Sequence, residues 1–420
     1  MKNVYIIICF IVIILFHSNC KNSNNNAILG LRHKNSSIEL FSPIATIKDS
    51  ISFFAESIDF ILLDSPSQCP VSDNIMSVIS SNDYFFLIEF RAVYQFDKTG
   101  QFIRKIGRNG RGPGEYIQIN GAQVDCESKS VIVFPGKTGN KIIHYDFDGK
   151  LLKEVKFEGS QLSFSGFDFY DNSYYFHTSC FDRFAENYQM IYVVDSMGNN
   201  THNFGSHIYI SLVDNTKKVV CYGSPRNWSW RFNQKLYFLE ECNDTIFSVK
   251  NDSLNFEWKL LGNRKLSPGI FHYNWPEDIG GDYITLQTKD LGKDNSCVFE
   301  TRSFIFFRCS SKGRLFFSVY DKIKDVLYRT NENCFIGTDY QSDCLYDDIL
   351  TGLNIGIDFQ TNDNQLLSLL YPYELLKNQE IIQNFGGKGF SNTEKFKELC
   401  RNLTENDNPI LLIINLKSPS

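Results

Sequence analysis

YQFDKTG at residues 94–100, HYDFDGK at 144–150 and VVDSMGN at 193–199 decide the fold. Asp97, Asp146 and Asp195 are 49 residues apart at each step, and Gly100, Gly149 and Gly198 keep the same interval. Each segment is an apolar strand running into a turn with Asp early and Gly late, the chemistry of a tight hairpin. The returning strands follow at once as QFIRKIG, KLLKEVKF and NNTHNFG.

Outward from these hairpins, a second pattern recurs six times. A polar turn leads into a short apolar strand at 82–90, 128–134, 171–177, 233–240, 311–320 and 362–370. Partner strands continue at 245–260 and 325–337, and the sixth finds one later in PILLIINLK (409–417). A pair of packed sheets would need no fixed period. Six paired hairpins with little helix between them predict an all-β, six-bladed β-propeller, whose radial closure leaves only short edges. IELFSPIATI (38–47) is expected to close the ring with PILLIINLK. SNTEKFKELCRNL (391–403) has a capping-box spacing from Ser391 to Glu394 and apolar residues at helical intervals. It predicts a short C-terminal helix just before the closing strand. Residues 261–302 read as an insertion within the 38–420 propeller domain.

FDKTGQFIRKIGRNGRGPGEY, followed by IIHYDFDGKLLKEV, resembles the six-bladed β-propeller lipoproteins of gut-type anaerobic bacteria, related in fold to NHL-repeat and TolB-like propellers. The resemblance runs from about residue 38 to 417 and includes the closing DNPILLIINLK. It implies an envelope-anchored propeller and transfers no catalytic residues.

The N-terminus carries the address. Lys2 precedes an unbroken apolar run of 13 residues, Val4 to Phe16. That is short of the roughly 20 needed to span a bilayer and fits a secretory signal. His17-Ser18-Asn19-Cys20 comes next, then the polar tract KNSNNN. This resembles a bacterial lipoprotein signal over residues 1–19, with Cys20 as the lipidated residue and 20–37 as a polar tether. Lipid anchoring to the cell envelope, on the periplasmic or surface side of the outer membrane, is expected. Net charge is −6, which excludes a general nucleic-acid binder. A monomer is expected. The ten cysteines after Cys20 form no C-x-x-C pair, so a zinc ribbon is not supported.

GRNGRGPGEY (107–116) looks at first like a phosphate cradle. Gly107 and Gly112 have Walker spacing, but Pro113 and Gly114 stand where Lys and Ser/Thr are required. The stretch reads instead as a link between blades, with Glu115 free to tie Arg108 or Arg111 across it. Those two arginines keep a claim on an anionic ligand. Two aromatic clusters are further ligand candidates. Trp228 and Trp230 share a strand face in PRNWSWRF, with packing between blades as the alternative. His272, Tyr273 and Trp275 lie in FHYNWPED, inside the insertion. Long loops on a rigid scaffold often hold function, and aromatic surfaces with polar neighbours suit sugars or peptides.

The chain therefore reads as a binding or scaffolding propeller for a protein, peptide or glycan, with no catalytic residue, cofactor or metal assigned. The competing reading is a metal-dependent hydrolase or lyase, lactonase-like, with calcium or zinc in the central channel. His202 and His207 are five apart but match no metal-ligand spacing.

Overall fold

The computed structural model describes residues 37–39, 45–46, 50–64, 69–72, 75–136, 140–158, 164–178, 189–205, 227–240, 245–261, 285–286, 298–311, 314–330, 334–335, 345–362, 364–388 and 390–418. All of these fall within one unit, Ser36–Ser420.

Six antiparallel sheets follow one another along the chain as blades. The first is built from Ile75–Ser80, Tyr84–Glu89, Val93–Asp97 and Phe102–Ile106. The second uses Gly121–Asp125, Ser130–Phe134, Lys141–Asp146 and Leu151–Lys156. The third uses Phe164–Tyr170, Ser173–Thr178, Gln189–Asp195 and Asn200–Gly205. The fourth uses Asn227–Phe232, Lys235–Glu240, Thr245–Lys250 and Ser253–Leu261. The fifth uses Val298–Glu300, Phe304–Ser311, Arg314–Asp321 and Val326–Arg329. The sixth joins Phe359–Asn362, Gln365–Leu370 and Ile410–Leu416 to Ala55–Leu62 from the N-terminal side. The protein is a six-bladed β-propeller.

Burial explains why these residues make blades. The second strands are apolar on both faces because a neighbouring blade covers each: Ser130–Phe134 is buried throughout, and Gln365–Leu370 at all but its first residue. Fourth strands are mostly open, as in Leu151–Lys156. Six apolar clusters fill the six interfaces. Phe86, Val131 and Tyr145 join blades one and two; Phe134, Phe167 and Phe176 join two and three; Tyr175 and Phe238 join three and four. Trp230 and Phe307 join four and five, Phe306 and Leu412 join five and six, and Phe96 and Leu411 join six back to one. No blade has a core of its own, so the ring stands only when closed.

The three founding hairpins repeat atom for atom. Asp97 Oδ1 accepts from the backbone N–H of Thr99 and Gln101 at 2.8 and 3.0 Å; Asp146 does so from Asp148 and Lys150 at 3.0 and 2.8 Å; Asp195 from Met197 and Asn199 at 2.8 and 2.9 Å. The late glycine takes positive φ in all three. At Gly198 a Cβ would also stand 2.0 Å from the carbonyl oxygen of Lys156 on the preceding blade. The hairpin tip thus doubles as an interblade contact.

Three expectations change. The closing strand is Ala55–Leu62, paired along its length with Ile410–Leu416, and not the 38–47 stretch. Ser37–Glu39 and Ala45–Thr46 instead add in parallel to the outer strands of blades four and five. Ile38 is buried there, whereas Ala55–Leu62 runs antiparallel to the C-terminal strand from Leu416 to Ile410, with one irregularity between Ala55 and Ser57. Second, Val298–Glu300, inside the stretch read as an insertion, is the innermost strand of blade five. Third, the predicted helix spans Phe390–Asn402, with Ser391 in its first turn and not at its cap, and two short helices, Pro372–Lys377 and Gln379–Asn384, precede it.

Candidate functional site

The link GRNGRGPGEY is a folded bracket. Gly107, at φ +74°, lies where a Cβ would come 2.6 Å from the Tyr116 ring and 2.7 Å from the Tyr145 hydroxyl. Tyr116 donates its hydroxyl to the Ile106 carbonyl at 2.5 Å, and Tyr145 donates to that of Gly114 at 2.8 Å. Gly114 N–H donates to Glu154 Oε1 at 2.7 Å, on the outer strand of blade two. The Glu115 side chain holds the loop, its Oε2 accepting from the Gly112 backbone N–H at 2.8 Å. Among the described residues it pairs with neither arginine. Arg108 and Arg111 both stand exposed. The glycines serve backbone geometry, and the two guanidinium groups point to no internal partner among the described residues.

Trp228 and Trp230 are 8% and 6% exposed. They pack between blades four and five and do not offer an open aromatic surface, because the blade-five strands cover that face. Trp230, Tyr237 and Trp258 form a three-ring stack with centroid spacings of 5.4 and 5.7 Å. Trp230 Nε1 donates to Glu300 Oε2 at 2.8 Å. Glu300, 1% exposed at its side chain, also receives Lys322 Nζ at 2.7 Å. Burial raises the Glu300 carboxyl's pKa, against the pull of Lys322. Gln360 on blade six brackets the Glu300 backbone, its Oε1 accepting the amide N–H at 2.9 Å and its Nε2 donating to the carbonyl. One residue therefore ties blades four, five and six.

A matching node sits on the other face of blade four, at Ser229, the residue before Trp230. Asp168, on the inner strand of blade three, receives His177 Nε2 at 3.0 Å and Ser229 Oγ of blade four at 2.5 Å, both on Oδ2. Gln123 of blade two donates to its Oδ1 at 3.4 Å. Burial alone would raise this carboxyl's pKa; the hydrogen bonds from His177 and Ser229 and the charge of Arg231 hold it below the usual range. Ser, His and Asp are present, but not as a nucleophilic relay. Ser229 donates to the Asp168 carboxylate, which is held below the usual carboxylate range and is therefore a weak base toward a serine hydroxyl. Sequence reasoning missed both nodes, whose partners lie 61 and 70 residues away on other blades.

Cys20, His272, Tyr273 and Trp275 lie outside the described residues, as does His207. His202 is on the outer strand of blade three. Among the described residues no group of three His, Cys, Asp or Glu side chains is arranged to hold a metal ion.

Residues 42–415 match a family described as a domain of unknown function, DUF4934. The chain belongs to that family. Among solved structures, it is similar to an exported protein of Bacteroides fragilis at 18% identity and a TM-score of 0.62, over 90% of this chain and all of that one. It is also similar to a member of the DUF4221 family from Bacteroides vulgatus at 11% identity and a TM-score of 0.47, over 86% of this chain and 97% of that one. No curated protein matches. The first likeness agrees with the propeller fold of this DUF4934 member.

Proposed function

We propose that this DUF4934 propeller is exported, held at the bacterial envelope through lipid on Cys20, and works by binding a protein, peptide or glycan partner. The observation that carries the recognition reading is the use made of the buried acids. Asp168 and Glu300, buried carboxylates on the inner strands of blades three and five, both fasten blades together. A rigid ring with its acids so engaged suits a platform whose loops and edges do the recognition. The similar Bacteroides fragilis protein is described as exported, in keeping with the apolar run before Cys20. Arg108 and Arg111, with His272, Tyr273 and Trp275, are the residues proposed to meet the partner.

The test is affinity capture from envelope extracts with the full chain as bait. A specific partner, recovered less well by a His272→Ala/Trp275→Ala variant or by Arg108→Ala/Arg111→Ala, is expected. Stoichiometric calcium or zinc in the purified protein, with hydrolysis of a lactone panel lost on chelation, would replace this reading with the enzymatic one. Cys20→Ala should move the protein out of the membrane fraction; retention there would refute the anchor.

A further inference from the structure

The outer edge of blade two differs from those the fold has covered. On blades four and five the protein adds short strands of its own, Ser37–Glu39 and Ala45–Thr46, parallel to the fourth strand. These show that a fourth strand of this ring can accept another in parallel. Leu151–Lys156 ends its sheet with no described strand beyond it. Leu151 and Leu152 stand 38% and 52% exposed on it. Leu152 is the extra residue of a bulge and has no partner in the register with Lys141–Asp146. Charged residues commonly guard such edges against chance pairing. Two exposed leucines in succession do the opposite.

The surroundings are basic. Arg104 holds Asp148 at 3.1 Å, Gly114 is tied to Glu154, and the Leu151 side chain lies over Gly114. Residues 104–115 and 146–156 therefore form one surface. It carries seven Lys and Arg against four Asp and Glu, on a chain of net charge −6. The carboxylates are engaged: Asp148 by Arg104, Glu154 by Lys141 at 2.8 Å, Asp146 by its own turn and Glu115 by Gly112. Arg108, Arg111, Lys153 and Lys156 form no ion pair among the described residues.

We propose that this edge takes an acidic, extended protein segment as a fifth strand, parallel to Leu151–Lys156. Its backbone would pair with this edge, its apolar residues would cover Leu151 and Leu152, and its carboxylates would meet Arg108, Arg111, Lys153 and Lys156. Main-chain pairing would give affinity and the side chains selectivity. The inference rests on the recognition reading above and names the partner's chemistry.

The test uses the full chain in detergent and a fluorescent peptide of alternating Val and Glu, followed by anisotropy. Its all-D form and a Val/Gln version are the controls. The all-L acidic peptide should bind, the two controls should bind about tenfold more weakly or less, and added salt should weaken binding. Leu152→Glu and Lys153→Glu are surface changes that should leave the melting temperature in place and weaken binding about tenfold. Equal binding of L and D peptides, or of dextran sulfate at the expense of the L peptide, would reduce the surface to a plain anion patch and overturn the strand proposal. No binding of the L peptide also overturns it. If envelope capture still recovers a partner, equally with Lys153→Glu, then only this edge assignment fails and the recognition reading stands.

Discussion

Gly107 and His144 show how single residues are constrained by the blade behind them. A methyl group at Gly107 meets two tyrosines at under 3 Å while the backbone stays at positive φ. Gly107→Ala should therefore cost about 2–3 kcal/mol in urea unfolding. At Gly205 a Cβ would meet nothing within 4 Å among the described residues, so Gly205→Ala should change stability by under about 0.5 kcal/mol. His144 is buried against the Tyr174 hydroxyl at 2.6 Å. Burial, assisted by the charge of Lys153, pushes its pKa down to about 4. The unfolded chain takes up that proton near pH 6.5. Between those values the unfolded state binds more protons, so stability falls as pH drops from about 6.5 to 4 and levels off below. The loss from this one group is of order 3 kcal/mol at most. His144→Gln keeps a hydrogen-bonding group and removes the titration. The stability difference between pH 7 and pH 4.5 should shrink in that variant; an unchanged difference would remove His144 as the cause.

At the scale of elements, the nodes at Asp168 and Glu300 do what apolar packing between blades cannot, which is to fix register. Lys322→Met leaves Glu300 buried without its cation and should destabilise by about 3–5 kcal/mol. The double variant Glu300→Gln/Lys322→Met should recover much of that loss, because no unpaired charge stays inside. A double variant as unstable as the single one would mean that packing, and not charge, holds the joint. These nodes were illegible in the sequence because their partners lie on different blades. The Asp–Gly hairpins were legible because their chemistry is complete within five residues. The tryptophans fell between: alternation gave Trp228 and Trp230 a common face, but not whether that face met solvent or blade five.

For the whole ring, the six-blade count followed from the 49-residue interval and the six turn-plus-strand units. The closure did not. IELFSPIATI reads as the closing strand, and only the pairing of Ala55–Leu62 with Ile410–Leu416 gives that place to AESIDFIL instead. Removing residues 1–48 should leave a cooperatively folding ring, weakened by about 1–3 kcal/mol through the loss of buried Ile38. Removing residues 1–62 should abolish the cooperative melt in near-UV circular dichroism. If both truncations melt alike, Ala55–Leu62 is not what closes the ring.

That closure also sets a clock. Leu62 pairs with Ile410, so roughly 350 residues of synthesis separate the two halves of one ladder, an extreme of non-local contact. At about 5–20 residues per second, Ala55–Leu62 must wait tens of seconds for its partner to be made. Until then blades one to five can form hairpins but not a ring, and the chain stays open to threading, chaperones and proteases. One strand, Ile410–Leu416, decides whether the five blades made before it become a ring.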